Sequence, residues 1–99
     1  MSKRRVYISG QMSGLDEDTI KRNFGFVEQS MKNYGYKVFN PARWGWFLRY
    51  LPYKWCLVFD LMMMCFCDGI FLQDNSRFSK GAQVEKQFAL ALDMFIITP

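Results

Sequence analysis

Two spacings of apolar residues alternate along this chain. The run "RVYISG" (5–10) is largely apolar at successive positions and closes on a glycine, as a buried strand ending in a turn does. From 16 to 35 the apolar positions change rhythm. Ile20, Phe24, Val27, Met31 and Tyr34 recur at helical spacing, acids at 16–18 favour the helix N-terminus, and Gly35 can end it. "YKVFNP" (36–41) is a second short strand stopped by Pro41. Residues 42–53 are aromatic and irregular, with Pro52 placed to start a helix over 53–66. "GIFLQ" (69–73) is a third strand, 74–78 a loop, 79–92 a helix and "MFIIT" (94–98) a last strand.

Strands that alternate with helices imply a parallel sheet covered on both faces, here a small open α/β sandwich in one domain spanning 1–99. Right-handed crossovers follow from the twist of the strands. In such sheets ligands bind beyond the carboxyl ends of the strands. Three segments therefore converge on one rim: "SGQMSG" (9–14), "NPAR" (40–43) and "QDNSRFSKG" (73–81).

Composition narrows the chemistry. At 51% hydrophobic and 18% aromatic the 99 residues have ample material for a core, so disorder is not expected. A net charge of +4 suits a phosphate-bearing small molecule. It comes with no long basic stripe, helix-turn-helix or RNP pattern, so no nucleic-acid partner is expected. Residues 55–67 are very apolar but too short for a bilayer and broken by Asp60, so no membrane partner is expected either. Three cysteines without a signal peptide point to reduced thiols in a cytoplasm. Cys65 and Cys67 lack the second ligand pair a zinc site needs, and neither a metal nor a cofactor is expected. With no histidine in the chain, acid–base work falls to carboxylates, tyrosine, lysine or cysteine.

Two carboxylates sit in odd company. The helical neighbours of Glu85 are Gly81, Ala82, Phe88 and Ala89, none of them positive. Ser79 is a good N-cap for the helix that carries it, turning the amides of Lys80, Gly81 and Ala82 toward the rim. Gly81 and Ala82 leave room over Glu85 for a ligand. The plainer alternative is a glutamate that reaches solvent or a distant arginine. Asp60 repeats the oddity among Cys56, Leu57, Met63 and Met64, where a lone carboxyl should hold its proton to higher pH. Its alternative is an aspartate on the solvent stripe of its helix. Asp68, before the third strand, is a weaker candidate and reads as a turn residue. Tyr7, near the carboxyl end of the first strand, is either core or a hydroxyl that reaches the rim and orients Glu85. As a pair, Asp60 and Glu85 offer one carboxylate to attack and one acid to donate a proton, the division of labour in retaining glycosidic-bond cleavage.

Taken in order, "YISGQMSG" (7–14), "FNPARW" (39–44), "FDLMMMCFCDGIFL" (59–72), "SKGAQVEKQFALAL" (79–92) and "FIIT" (95–98) resemble the nucleoside 2-deoxyribosyltransferase superfamily. Within it the chain is most similar to the small deoxyribosyltransferase-like domains grouped as the domain of unknown function numbered 4406. The spacings from Asp60 to Asp68 and among Ser79, Gly81 and Glu85 also match the deoxynucleoside 5′-monophosphate N-glycosidases. The resemblance implies a flavodoxin-like three-layer sandwich with a parallel sheet of four or five strands. It implies Glu85 as nucleophile, Asp60 as general acid and Tyr7 beside the nucleophile. It also places sugar or phosphate at Ser9, Gly10, Gln11, Met12, Ser13, Asn40, Ser79 and Gly81. Two departures stand out. Gly10 is followed by Gln11 where the family usually has proline, and Ser13 stands where the monophosphate glycosidases carry arginine.

The expected activity is therefore cleavage or transfer at the N-glycosidic bond of a (deoxy)nucleoside or its 5′-monophosphate. The rival is a non-catalytic, phage-encoded protein that sequesters a nucleotide-derived signalling molecule. Aromatic residues crowd 44–55, as they would in a lid or a subunit contact, and a homodimer or larger homo-oligomer is expected.

Overall fold

The computed structural model describes residues 3–12, 14–44 and 50–99. Its strands are β1 (Arg5–Ser9), β2 (Lys37–Phe39), β3 (Gly69–Leu72) and β4 (Phe95–Ile97), and its α-helices are α1 (Glu17–Asn33), α2 (Tyr53–Met64) and α3 (Lys80–Ala91). All strand pairings are parallel, in the order β2-β1-β3-β4. The order reverses direction between β1 and β3, the place where open α/β sheets leave a crevice at their carboxyl edge.

The pleat of β1 sorts the layers. Val6 and Ile8 point to one face, where they meet Phe24, Val27 and Met31 of α1 together with Phe71 of β3. Tyr7 points to the other face and packs with Met64, Ile70, Leu72, Ala89 and Met94, beneath α2 and α3. Helices thus cover both sides of a sheet whose central strands are buried, the flavodoxin-like three-layer arrangement. Register places Tyr7 between Phe39 and Ile70, and Ser9 beside Leu72, so both hydroxyls leave the same face at the carboxyl end.

Element ends follow local chemistry. Gly35 adopts a positive φ of 93° and closes α1. The amide of Gly35 donates to the Lys32 carbonyl and that of Tyr36 to the Met31 carbonyl, the paired bonds of a Schellman stop. The second strand is shorter than its sequence suggests. Asn40 takes it out of the sheet by accepting from the Ala42 amide at 2.9 Å and starting a 3₁₀ turn over Pro41–Trp44. The expected loop at 74–78 is likewise a 3₁₀ turn, Asp74–Phe78. At Gly69 any Cβ would fall 2.2 Å from the Phe95 ring, so glycine is what lets β4 pack across β3.

Among the described residues no helix is long and apolar enough to cross a membrane. The crowded aromatic stretch lies partly outside them, at 45–49, including Trp46 and Phe47. Trp44 is described and stacks on Phe39, which in turn stacks on Tyr7.

Candidate active site

The site begins with the two hydroxyls that β1 sends to one face. Tyr7 Oη donates to Glu85 Oε2 at 2.6 Å and Ser9 Oγ donates to Glu85 Oε1 at 2.8 Å. Each carboxylate oxygen therefore has its own donor, and the side chain is fixed in direction although only 5% of Glu85 is exposed. The helix that carries it starts as the sequence indicates. Ser79 is the N-cap, its Oγ accepting from the Ala82 amide at 3.2 Å.

Asp60 approaches from α2. Its Oδ1 is buried and has no hydrogen-bond partner among the described residues. Burial raises its pKa to about 8; the charge of Glu85 adds to the rise and the Tyr7 hydroxyl opposes it. Burial raises Glu85 to about 7, against the pull of the Tyr7 and Ser9 hydrogen bonds. The Tyr7 phenol is held well above its ordinary range by burial and then by the two carboxylates. The two acids titrate as a pair. Near neutrality the pair can hold one proton, on Asp60 more readily than on Glu85, which leaves one acid and one base in the same space.

That space is a pocket of about 290 Å³ at the carboxyl edge of the sheet. Tyr7, Gly10, Met12, Asp60, Ser79, Gly81 and Glu85 line it, so most of the residues picked out by the sequence converge on one cavity. Ser9 acts behind the wall, through Glu85. Gln11 holds the loop in place, its amide donating to Asn75 Oδ1 at 3.0 Å. Ser13 lies outside the described residues. Asn40 points elsewhere. Its Nδ2 donates to Glu28 Oε1 at 3.0 Å, and Arg43 grips the same carboxylate at 2.8 and 2.6 Å. Asp68 accepts from the Arg5 amide at 3.0 Å, at the amino end of β1 and away from the pocket, as a turn residue would.

Several residues of the site gave no sequence signal of their own. Tyr53, Cys56 and Leu57 bring one face of α2 to the wall, and Pro41 adds an edge. Cys56 lies one turn before Asp60, so the spacing that marks Asp60 also places Cys56 at the cavity. Gln73 packs against Gly10, where a Cβ would come within 2.4 Å of its Nε2. Glycine there lets the β1 loop pass under the Gln73 carboxamide and keeps its backbone at the pocket wall. No cluster of three or more metal-ligating side chains occurs among the described residues.

Fold and pocket define an α/β protein with a ligand-sized cavity at the switch point of a parallel sheet, holding one hydrogen-bonded carboxylate and one carboxyl group that favours its proton. The chain belongs to the family described as a domain of unknown function, DUF4406, whose model matches residues 4–98. No curated protein and no solved structure matches it.

Proposed function

We propose that this protein cleaves, or transfers at, the N-glycosidic bond of a (deoxy)nucleoside or its 5′-monophosphate, the activity that its resemblance to the nucleoside 2-deoxyribosyltransferase superfamily implies. One observation supports this above the others: Glu85, oriented by Tyr7 and Ser9, shares a cavity with an Asp60 that favours its proton. A Glu85 oxygen attacks C1′ as the bond to the base nitrogen breaks. The bonding pair leaves with the base, and Asp60 supplies the proton that neutralises it. Water then attacks C1′, giving its proton to the Asp60 carboxylate and displacing Glu85, or a second base takes the place of water and transfer results. The Tyr7 and Ser9 hydroxyls hold Glu85 in one rotamer and spread its charge while positive charge develops on the sugar.

The reading places the protein in a cytoplasm, with Cys56, Cys65 and Cys67 outside any disulfide. It also gives the protein a second copy of itself as partner, because Trp55, Val58, Met62 and Phe66 form an exposed apolar stripe along α2 and its end.

The deciding experiment is release of free base from a panel of nucleosides and monophosphates, repeated with Glu85→Gln. The wild type should turn over. The variant should lose turnover on the order of a thousandfold or more while keeping its melting temperature. Tight binding with the ligand recovered intact would instead identify a sequestering protein.

A further inference from the structure

The first turn of α3 carries amides that no earlier helical carbonyl satisfies, which makes it the natural place in this pocket for an anion. A phenol stands beside that place. Tyr53, the first residue of α2, reaches across the cavity mouth to Gly81, the second residue of α3. A Cβ built on Gly81 would lie 3.0 Å from Tyr53 Oη and 3.8 Å from Ser79 Oγ. Glycine leaves a gap at this point, and the phenol fills it. Ser79 Oγ is itself engaged with the Ala82 amide. Among the described residues that line the pocket there is no lysine or arginine, while Asp60 and Glu85 both face it. A phosphate would meet a tyrosine beside those amides, no cation among the described lining residues to balance it, and a carboxylate in a low-dielectric space.

We propose that Tyr53 sets the ligand class: its phenol closes the first turn of α3 to phosphate, so the site takes an unphosphorylated nucleoside and rejects the 5′-monophosphate. This rests on the glycosidic reading above and sharpens it. The wall offers a neutral ligand what it lacks for an anion, namely apolar surface from Met12 and Leu57 and a hydroxyl at Tyr53. The same wall disfavours the phosphate-bearing signalling molecules that the sequestering alternative would hold.

The test compares wild type, Tyr53→Ala and Tyr53→Phe against three probes: 2′-deoxynucleosides, their 5′-monophosphates and inorganic phosphate. Binding is read by calorimetry and turnover by base release. Tyr53 is largely exposed, and an unchanged melting temperature verifies that each variant is folded. The wild type should favour nucleosides over monophosphates by roughly tenfold or more, the scale of one unscreened like-charge contact. It should not bind inorganic phosphate at millimolar concentration. Tyr53→Ala should gain phosphate binding and lose the discrimination. Tyr53→Phe, which keeps the tip of the ring beside Gly81, should retain it. Equal handling of nucleoside and monophosphate by the wild type would overturn the proposal. So would a Tyr53→Ala protein with no gain for phosphate, or a Tyr53→Phe protein that loses monophosphate affinity, which would make the hydroxyl a phosphate donor. If no nucleoside or nucleotide is bound or cleaved, the glycosidic reading fails, and the inorganic phosphate arm still decides whether Tyr53 closes the helix end.

Discussion

Tyr7 and Glu85 are 78 positions apart in the chain and 2.6 Å apart in the fold. The bond is made by a phenol that burial keeps protonated, so it donates across the working pH range. It also lowers the pKa of Glu85. Tyr7→Phe removes that donor and leaves the ring stacked on Phe39. Base release at neutral pH should fall on the order of tenfold, since a hydrogen bond to a charged group contributes ~1.5–3 kcal/mol. The acid limb of the pH profile should move to higher pH. A loss of melting temperature with an unshifted profile would assign Tyr7 to packing alone.

The pH dependence of turnover should be a narrow bell. Activity rises as Glu85 ionises around pH 7 and falls as Asp60 gives up its proton around pH 8. Asp60→Asn should remove the alkaline limb and lower the maximal rate, by ~100-fold or more for loss of a general acid. A profile whose alkaline limb survives the substitution would take Asp60 out of the acid's role.

Stability of the free protein should vary with pH in two opposed ways. Glu85 and Asp60 have folded pKa values above the ordinary carboxyl range, so their contribution is full at low pH and is lost as pH rises through about 7 and 8. Glu28 is the reverse. Its pKa is lowered to about 2, chiefly by Arg43, so its contribution is full above the ordinary glutamate range and is lost as pH falls toward 2. The melting temperature should peak near pH 5 and decline on both sides. Glu28→Ala should remove the acid-side decline and destabilise the protein by about 2 kcal/mol, because Asn40 and Arg43 lose their shared acceptor. A melting temperature flat from pH 5 to 9 would show that the site carboxyls do not resist ionisation.

The apolar stripe on α2 should be covered by its counterpart in a second molecule. Trp55 is 55% exposed, Met62 55% and Phe66 66%, at spacings that keep them on one side of the helix. Sedimentation at micromolar concentration should give a dimer or larger species. Met62→Glu should shift it to monomer with the fold retained. A wild type that sediments as a monomer would leave the stripe without this explanation.

Much of the architecture was legible because it rests on local repetition. The helical spacing of Phe24, Val27 and Met31 and the apolar runs of β1 and β3 each demand a buried face, and alternating strands and helices leave few ways to provide it. Asp60 and Glu85 could be found because each lies on an apolar helix face with no cation one turn away. Glu28 escaped the same test. Lys32 stands four residues on, and the two look like an ordinary surface pair, which they also form at 2.8 Å. Nothing local reveals that Arg43 and Asn40 close over the same carboxylate. For that reason Asn40, a polar residue after a strand, looked no different from a ligand-binding one. Tyr53 beside Gly81 and Gln73 against Gly10 are contacts between distant segments, set by how two elements meet and by no pattern within either.

The order in which the chain is made gives the Glu85 hydrogen bonds a further meaning. Tyr7 and Ser9 belong to the first strand, Asp60 to a later helix, and Glu85 to the last helix before the final strand. A nascent chain can pair β1 with β2 early, yet β1 must wait for β3, and the two hydroxyls must wait longer for their acceptor. Contacts of such long sequence separation carry a loop-closure entropy that local contacts do not. Under the proposed function, the attacking group is therefore absent from any nascent chain that ends before residue 85, and such a fragment would lack the proposed activity however well its first strands had paired.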